Sequence, residues 1–132
     1  MNIVSYGNGI EVCRTFHENG NVKTEQWFYN GEFHNSHGPA EIKYYKNGQK
    51  KIEVWYINGK CHREGRLPAM IEYYKNGTKL SESWYIDGNL QTSEMSPSSV
   101  IYYSDGRKRI ESWSKKLSED PIVIYYNRGI LI

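Results

Sequence analysis

This 132-residue sequence has little alanine, no long apolar run and no recognisable leader segment. Only two alanines occur, and the apolar residues together with glycine make up 50 of the 132 positions, below the roughly 45–50% of an average globular protein. A large aliphatic core is therefore not expected. No apolar run approaches the roughly 18 residues of a membrane span, and no basic and apolar leader opens the sequence. We expect an intracellular protein that is not secreted.

Cysteines are also few, and neither sign of charge predominates. The two cysteines, Cys13 and Cys61, are too few for a disulfide scaffold, and we expect both to be free thiols. The formal net charge is only +2, from 17 basic and 15 acidic residues. This near balance argues against nucleic acid as the main partner, and no specific nucleic-acid binding is expected.

Aromatic residues take the place of the missing aliphatic ones, and they recur with a fixed period. The 12 tyrosines and four tryptophans favour a pleated sheet over a helix. The tryptophans are 28 or 29 residues apart, and three tyrosine pairs keep the spacing of 29 before a fourth pair follows after 23. The period predicts one repeat array with a degenerate cap over 1–20, repeats over about 21–48, 49–77 and 78–106, and a shortened repeat over 107–132.

Turn dipeptides divide each repeat into two hairpins. Asn-Gly or Asp-Gly follows each of the first three tyrosine pairs and each of the first three tryptophans. We predict a two-residue type I′ turn at all six positions, joining antiparallel strands, with one strand over 49–57. Pro39, Pro68 and Pro97 are expected to mark strand starts or bulges. The predicted fold class is all-β, an elongated single-layer antiparallel sheet of repeated β-hairpins.

Alternation along the strands predicts which side chains form the packed face. Each tryptophan shares its face with a glutamate two residues earlier, and the first tyrosine of each pair shares a face with a β-branched residue. The predicted structural aromatic core consists of Trp27, Trp55, Trp84, Trp113, Tyr44, Tyr73, Tyr102 and Tyr125. We expect the glutamates, Glu25, Glu53, Glu82 and Glu111, to accept hydrogen bonds from tyrosine hydroxyls, lysines or backbone turns.

Catalysis and metal binding are not predicted. Acid–base work by carboxylates needs two different environments, whereas the repeats supply four similar ones. His34, His37 and His62 with Cys61 suggest a zinc hypothesis, but there is no Cys-x-x-Cys, and a repeated histidine is more simply a structural hydrogen-bonding residue. Cys61 and His62 are adjacent and would face opposite sides of a strand, which disfavours a nucleophile–base pair. No enzyme activity, cofactor or metal is expected.

Two stretches, from Trp55 to Gly65 and from Ile71 to Gly77, resemble the MORN repeat (membrane occupation and recognition nexus). The shared pattern is an aromatic residue, Asn-Gly-Lys, a histidine, spaced glycines, further aromatics and a second Asn-Gly. The Tyr-Tyr-x-Asn-Gly-x-Lys segments are also similar to the repeats of the bacterial YwqK antitoxin family, and the period is similar to that of MORN-like arrays of giant viruses of amoebae. The third copy departs from the pattern, with Gln91 in place of His34 and His62.

The resemblance implies a non-enzymatic scaffold that makes protein–protein contacts in the cytoplasm or nucleus of a host cell, or in a virion. The protein partner is unknown. The alternatives are peripheral binding to an anionic phospholipid membrane and, as in an antitoxin, binding to one cognate enzyme.

Three surfaces are candidates for contact. The second-position tyrosines Tyr45, Tyr74 and Tyr103 are predicted to contact a partner, with packing between adjacent repeats as an equal alternative. A basic cluster is a candidate for anions or lipid, with a solvated strand face as the alternative, and consists of Arg107, Lys108, Arg109, Lys115 and Lys116. An apolar C-terminal edge predicts a homodimer through Ile122, Ile124, Tyr126, Ile130, Leu131 and Ile132.

Overall fold

The computed structural model describes residues 2–91, 93, 96–114, 120–127 and 130–131, and within them the chain forms only strands, turns and loops. The first eight strands are β1 (Asn2–Gly7), β2 (Ile10–Phe16), β3 (Val22–Tyr29), β4 (Glu32–Phe33), β5 (Glu41–Tyr44), β6 (Lys50–Val54), β7 (Tyr56–Ile57) and β8 (Lys60–Cys61). The next eight are β9 (Met70–Tyr73), β10 (Lys79–Ser83), β11 (Tyr85–Ile86), β12 (Asn89–Leu90), β13 (Ser99–Tyr102), β14 (Lys108–Trp113), β15 (Ile122–Asn127) and β16 (Ile130–Leu131). These residues include no helix long and apolar enough to cross a membrane.

Twelve strands form one antiparallel sheet that does not close on itself. Its order is β1-β2-β3-β5-β6-β9-β10-β13-β14-β15-β16, with β4 paired to β3, while β7-β8 and β11-β12 form two small separate sheets. The predicted all-β, single-layer sheet of hairpins is confirmed. β5, β9 and β13 each begin two residues after Pro39, Pro68 or Pro97, as predicted.

The chain leaves the main sheet at Trp55 and Trp84, whereas Trp27 and Trp113 lie within its strands β3 and β14. The single strand expected over 49–57 is wrong, because the structure has two strands there, β6 and β7. The backbone N–H of Trp55 donates to the carbonyl of Ala69 at 2.8 Å, whereas its carbonyl accepts the N–H of His62 at 3.0 Å. Trp84 makes the corresponding two bonds in the next repeat. The two backbone groups of Trp55, and likewise those of Trp84, thus bond to different segments, and a short hairpin outside the main sheet follows each of them.

The turns that follow the tryptophans have the predicted type I′ geometry. Asn30, Asn58 and Asp87 have φ between 48° and 50°, and each following glycine also has a positive φ. Both central residues of a type I′ turn need the left-handed region, which glycine and asparagine tolerate best.

The turns that follow the tyrosine pairs differ from the prediction. In the first of them only Gly48 has a positive φ, at 88°, and Tyr44 pairs with Lys50, which leaves a five-residue loop and a bulge. The side-chain Oδ1 of Asn47 accepts the N–H of Gln49 at 2.9 Å, so the asparagine caps the turn and the glycine alone enters the left-handed region. The Asn76 and Asp105 turns are built in the same way.

These two kinds of turn lie at opposite long edges of the sheet. We call the loops 17–21, 45–49, 74–78 and 103–107 the tight-turn edge, and the hairpins β3-β4, β7-β8 and β11-β12 the short-hairpin edge. Hydrogen bonds join neighbouring repeats at both edges: Asn47 Nδ2 donates to the carbonyl of Lys75 at 3.2 Å, and the N–H of Gly59 donates to the carbonyl of Phe33 at 2.8 Å. Each repeat is therefore held on both sides.

One face of the sheet carries a row of alternating charged and aliphatic residues. Strand register places these side chains directly opposite one another, and three of the glutamates, Glu53, Glu82 and Glu111, are buried beside buried aliphatic residues. We call this set the glutamate row, which consists of Arg14, Glu25, Ile42, Glu53, Ile71, Glu82, Val100, Glu111 and Ile124.

The last tyrosine pair occupies the opposite parity from the one predicted. Tyr125, expected in the core, pairs with Ile110 on the other face and is 54% exposed, so that prediction is wrong. Ile124 lies opposite Glu111, and the half-buried Tyr126 takes the place that Tyr102 has one repeat earlier. The shortened repeat shifts the pair by one residue, and a one-residue shift moves a side chain to the other face.

Candidate interaction surfaces

Each buried glutamate accepts a hydrogen bond from a tyrosine on the adjacent strand that follows it in the sheet. Glu53 accepts the hydroxyl of Tyr73 at 3.1 Å, and Glu82 accepts that of Tyr102 at 2.5 Å. Tyr126 donates to Glu111 in the same way. Each carboxylate also pairs with a lysine three residues earlier, at 2.8, 3.1 and 3.4 Å along the chain. This is the hydrogen bonding predicted from the sequence, and it satisfies charges that would be costly to bury alone.

Glu25, at the N-terminal end of the row, has different partners. It accepts the Nε–H of Arg14 at 2.7 Å and the Nε1–H of Trp27 at 3.0 Å. Burial opposes ionisation of this carboxyl, but the bonds from Trp27 and Arg14 outweigh it and hold its pKa below the usual value. All four glutamates are thus acceptors for neighbouring donors, and all four tryptophans are half-buried.

The second-position tyrosines lie between repeats. Tyr45 donates its hydroxyl to the carbonyl of Tyr73 at 2.7 Å, and Tyr74 donates to that of Tyr102 at 2.7 Å. Tyr103 continues the series to the last tyrosine strand. The bulge before each turn takes these residues out of the strand, and their half-buried side chains pack between adjacent repeats, which is the second of the two alternatives expected from the sequence.

Two of the three described members of the basic cluster are ion-paired, and the third, Arg109, is exposed. Arg107 pairs with Asp105 at 2.5 Å, Lys108 pairs with the last glutamate of the row, and Arg109 lies 5.7 Å from the ring centre of Tyr103. Lys115 and Lys116 lie outside the described residues, as does Ile132 of the predicted dimer edge.

Basic residues that the sequence analysis did not select lie in the centre of the chain. Lys43, Lys46, Lys51 and Lys75 are exposed and form no ion pair with any carboxylate that the structure describes. The ammonium groups of Lys51 and Lys75 lie 5.8 and 5.9 Å from the ring centre of Tyr45. The repeated spacing Lys-x-x-Glu was the available signal, because it marks the lysines that are ion-paired, and these four do not have it.

The histidines connect short hairpins instead of gathering at a metal centre. His34 Nδ1 accepts the N–H of Asn58 at 3.0 Å, and His62 Nδ1 accepts that of Asp87 at 3.0 Å, whereas His37 bonds to its own neighbour Ser36. Among the described residues no three His, Cys, Asp or Glu side chains come together as a metal site. Burial raises the pKa of the Cys61 thiol to about 11.

An open cleft of about 320 Å³ lies between the first two short-hairpin loops. The guanidinium of Arg63 covers the ring of Trp55 at 3.8 Å and donates to the carbonyl of Pro68 at 3.1 Å. Because the arginine already has partners in the fold, the cleft offers few unsatisfied groups to a ligand. Its lining consists of Asn35, Ser36, Trp55, Ile57, His62, Arg63 and Glu64.

The C-terminal end of the sheet is apolar and exposed. Exposed fractions are 45% for Ile122, 71% for Ile130 and 64% for Leu131, while Ile124 and Tyr126 are half-buried on the glutamate face. β16 pairs with β15 only at two positions. Most of the outer edge of β15 therefore has no partner strand among the described residues.

Comparisons with protein-family models, with curated proteins and with solved structures give no match to this chain. The geometry of the chain itself therefore supplies the argument about function.

The free energy of unfolding should fall at alkaline pH because of the tyrosines that donate to the glutamate row. Burial and the nearby Glu53 raise the pKa of Tyr73 to about 12, above its ordinary value of about 10. The folded state therefore holds this proton more tightly, and its stabilisation is present below pH 10 and lost as the pH rises from about 10 to about 12. Urea unfolding across this range should show a steeper loss of unfolding free energy in the wild type than in Tyr73→Phe. Tyr125→Phe, on the exposed face, should behave as the wild type, and equal slopes for all three proteins would contradict the prediction.

Proposed function

We propose that this chain is a non-enzymatic scaffold of the MORN-repeat type that mediates protein–protein contacts. The observation that carries the proposal is that hydrogen bonds join the repeats at both edges. Tyrosine hydroxyls and asparagine amides donate them at one edge, and backbone groups form them at the other. These bonds make an extended surface rigid, and rigidity lowers the entropic cost of binding a partner. Action in a host cell or a virion, and a viral origin, belong to the proposal through the resemblance of the repeats to MORN-like arrays of giant viruses.

The C-terminal end is the contact surface that the exposed side chains favour, and a second copy of the chain is its proposed occupant. Ile122, Val123 and Tyr125 present 40% to 54% of their surface on β15, and β16 adds two more exposed apolar residues. An unpaired strand edge with apolar side chains can pair with the same edge of another copy about a two-fold axis. A homodimer would hold the repeat arrays of its two copies in a fixed orientation relative to each other.

Charge at the C-terminal end should abolish dimerisation. We expect wild-type protein to show about twice the 15.5 kDa chain mass in size-exclusion chromatography with light scattering. A variant with Ile130→Lys and Leu131→Lys should run as a monomer, because two ammonium groups would have to be buried in the interface. The control, Ile3→Lys with Ile10→Lys, places the same charges on exposed apolar residues at the opposite end and should stay dimeric. A monomeric wild type, or equal masses for the two variants, would remove the dimer from the proposal.

Peripheral binding to an anionic membrane is the second candidate, and the unpaired lysines favour it. Lys46 and Lys75 occupy the same position in successive tight turns, so their charges lie on one edge, about 10 Å apart for a two-strand repeat. Lysines near an anionic bilayer contribute about 1 kcal/mol each, and several in a row act together. In that alternative this edge takes the place of the basic cluster as the membrane-facing surface, because Arg107 and Lys108 of the cluster are ion-paired.

Vesicle sedimentation distinguishes this candidate from the scaffold alone. Vesicles of phosphatidylcholine with about one third phosphatidylserine should retain the wild type at about 0.1 M salt, and Lys46→Glu with Lys75→Glu should weaken binding at least about tenfold. Lys60→Glu with Arg66→Glu makes the same charge change on the short-hairpin edge and should have a smaller effect. Absence of wild-type binding, or equal loss in the two variants, would reject membrane binding through the tight-turn edge.

A further inference from the structure

Neighbouring short hairpins are joined by a bond that only a neutral imidazole can make. The backbone N–H groups of Asn58 and Asp87 donate to Nδ1 of His34 and His62, both at 3.0 Å. A backbone N–H can only donate, so each Nδ1 must carry a lone pair and each ring proton must lie on Nε2. A protonated imidazole has no acceptor left.

The tight-turn edge has no such requirement. Its bonds between repeats come from asparagine amides and tyrosine hydroxyls, and both donate to backbone carbonyls. His17 takes the tyrosine's place in the first turn, where its Nε2 lies 3.0 Å from the carbonyl of Tyr44. A carbonyl accepts, so this histidine donates, and it still donates when it is protonated. Dependence on a neutral histidine is therefore confined to the short-hairpin edge.

The sequence places the accepting histidine only where a following turn can donate to it. His34 precedes the Asn58 turn and His62 precedes the Asp87 turn, while the equivalent position after the third short hairpin is Gln91. No Asn-Gly or Asp-Gly follows the fourth tryptophan in the sequence. This match between histidine and donor turn is a second observation for a role between repeats.

We propose that the short-hairpin edge is an acid-sensitive joint. Imidazole is the side chain that titrates between about pH 5 and 8, and its protonation sets two N–H groups against each other in place of a hydrogen bond. The short hairpins keep backbone bonds such as that from the N–H of Gly59 to the carbonyl of Phe33 but lose the histidine bonds. This edge therefore loosens while the tight-turn edge keeps its bonds, which changes the twist of the sheet. The device converts a fall in pH into a change in the spacing of surfaces along the array.

The two joints differ in the charges that face them. His62 has Asp87 Oδ1 at 3.4 Å from Nδ1 and Glu64 Oε1 at 3.6 Å from Nε2, so its protonated form gains carboxylate partners. Lys60, on the same hairpin, packs its stem near Gly88 of the next turn.

His34 has no ion pair among the residues that the structure describes. It lies 5.5 Å from the ring of Tyr29, and the charged group beside the turn it joins is Glu32, whose carboxylate lies close to Gly59. Protonation of His34 therefore breaks its bond to Asn58 with no described carboxylate beside the ring to form an ion pair in its place.

Amide hydrogen exchange measured by NMR tests the joint directly on the full chain. Between pH 7.5 and 5 the protection factor of the Asn58 amide, which corrects for intrinsic exchange, should fall at least about tenfold in the wild type. The amide of Gly48, at the tight-turn edge, should keep its protection. Constant protection of Asn58 across this range would overturn the proposal with no variant needed.

Two variants separate titration from packing. His34→Asn supplies a carbonyl oxygen in place of Nδ1 and cannot titrate, so the protection of Asn58 should become independent of pH. His37→Asn changes a histidine that bonds only locally and should keep the wild-type response. Persistence of the pH response in His34→Asn, or its loss in His37→Asn, would contradict the proposal.

Discussion

A single-layer sheet has no second layer to cover it, so its packed face must be completed by its own side chains. In this protein the completion depends on a buried carboxylate that accepts a tyrosine hydroxyl from the neighbouring hairpin. Glu82 is 7% exposed and accepts the hydroxyl of Tyr102 at 2.5 Å, with Lys79 at 3.1 Å. Deleting one member would leave a buried group unsatisfied, which costs more than the bond itself contributes. The repeated Tyr–Glu–Lys contact therefore fixes how closely successive hairpins lie.

Hydrogen bonds between repeats at the two long edges are a second set of constraints, and they are replaced in the last full repeat. Asn47 and Asn76 donate their amides to the next tight turn, but Asp105 has no amide and bonds to Arg107 instead. At the other edge, the position of the accepting histidines His34 and His62 is occupied by Gln91 in the third repeat. Both changes lie in the last full repeat. The side chains that form hydrogen bonds to a following repeat are therefore replaced where the regular period stops.

Much of this architecture follows from the period, because a spacing of 28 or 29 residues with two turn dipeptides specifies hairpins and their order. The glutamate bonding was also predictable, since a carboxylate on a packed face needs donors. The bulge was not predictable, because an Asn-Gly pair fits both a type I′ turn and the longer loop in which the side chain of Asn47 accepts the N–H of Gln49. The bulge decides between the two alternatives for Tyr45 and its equivalents, because it places them in the contacts between repeats. The parity of Tyr125 failed because Val123 and Ile124 are both β-branched, so the sequence pattern fits either register.

A double-mutant cycle on Tyr102→Phe and Glu82→Gln tests the central contact most directly. Unfolding free energies from urea denaturation should give a coupling energy of about 1.5 kcal/mol or more, as for a hydrogen bond to a charged group. The matched cycle with Tyr125→Phe in place of Tyr102→Phe should be additive within about 0.5 kcal/mol, because that ring lies on the other face. Additivity of the Tyr102 and Glu82 variants would contradict the account, since the hairpins would then be held together without this contact.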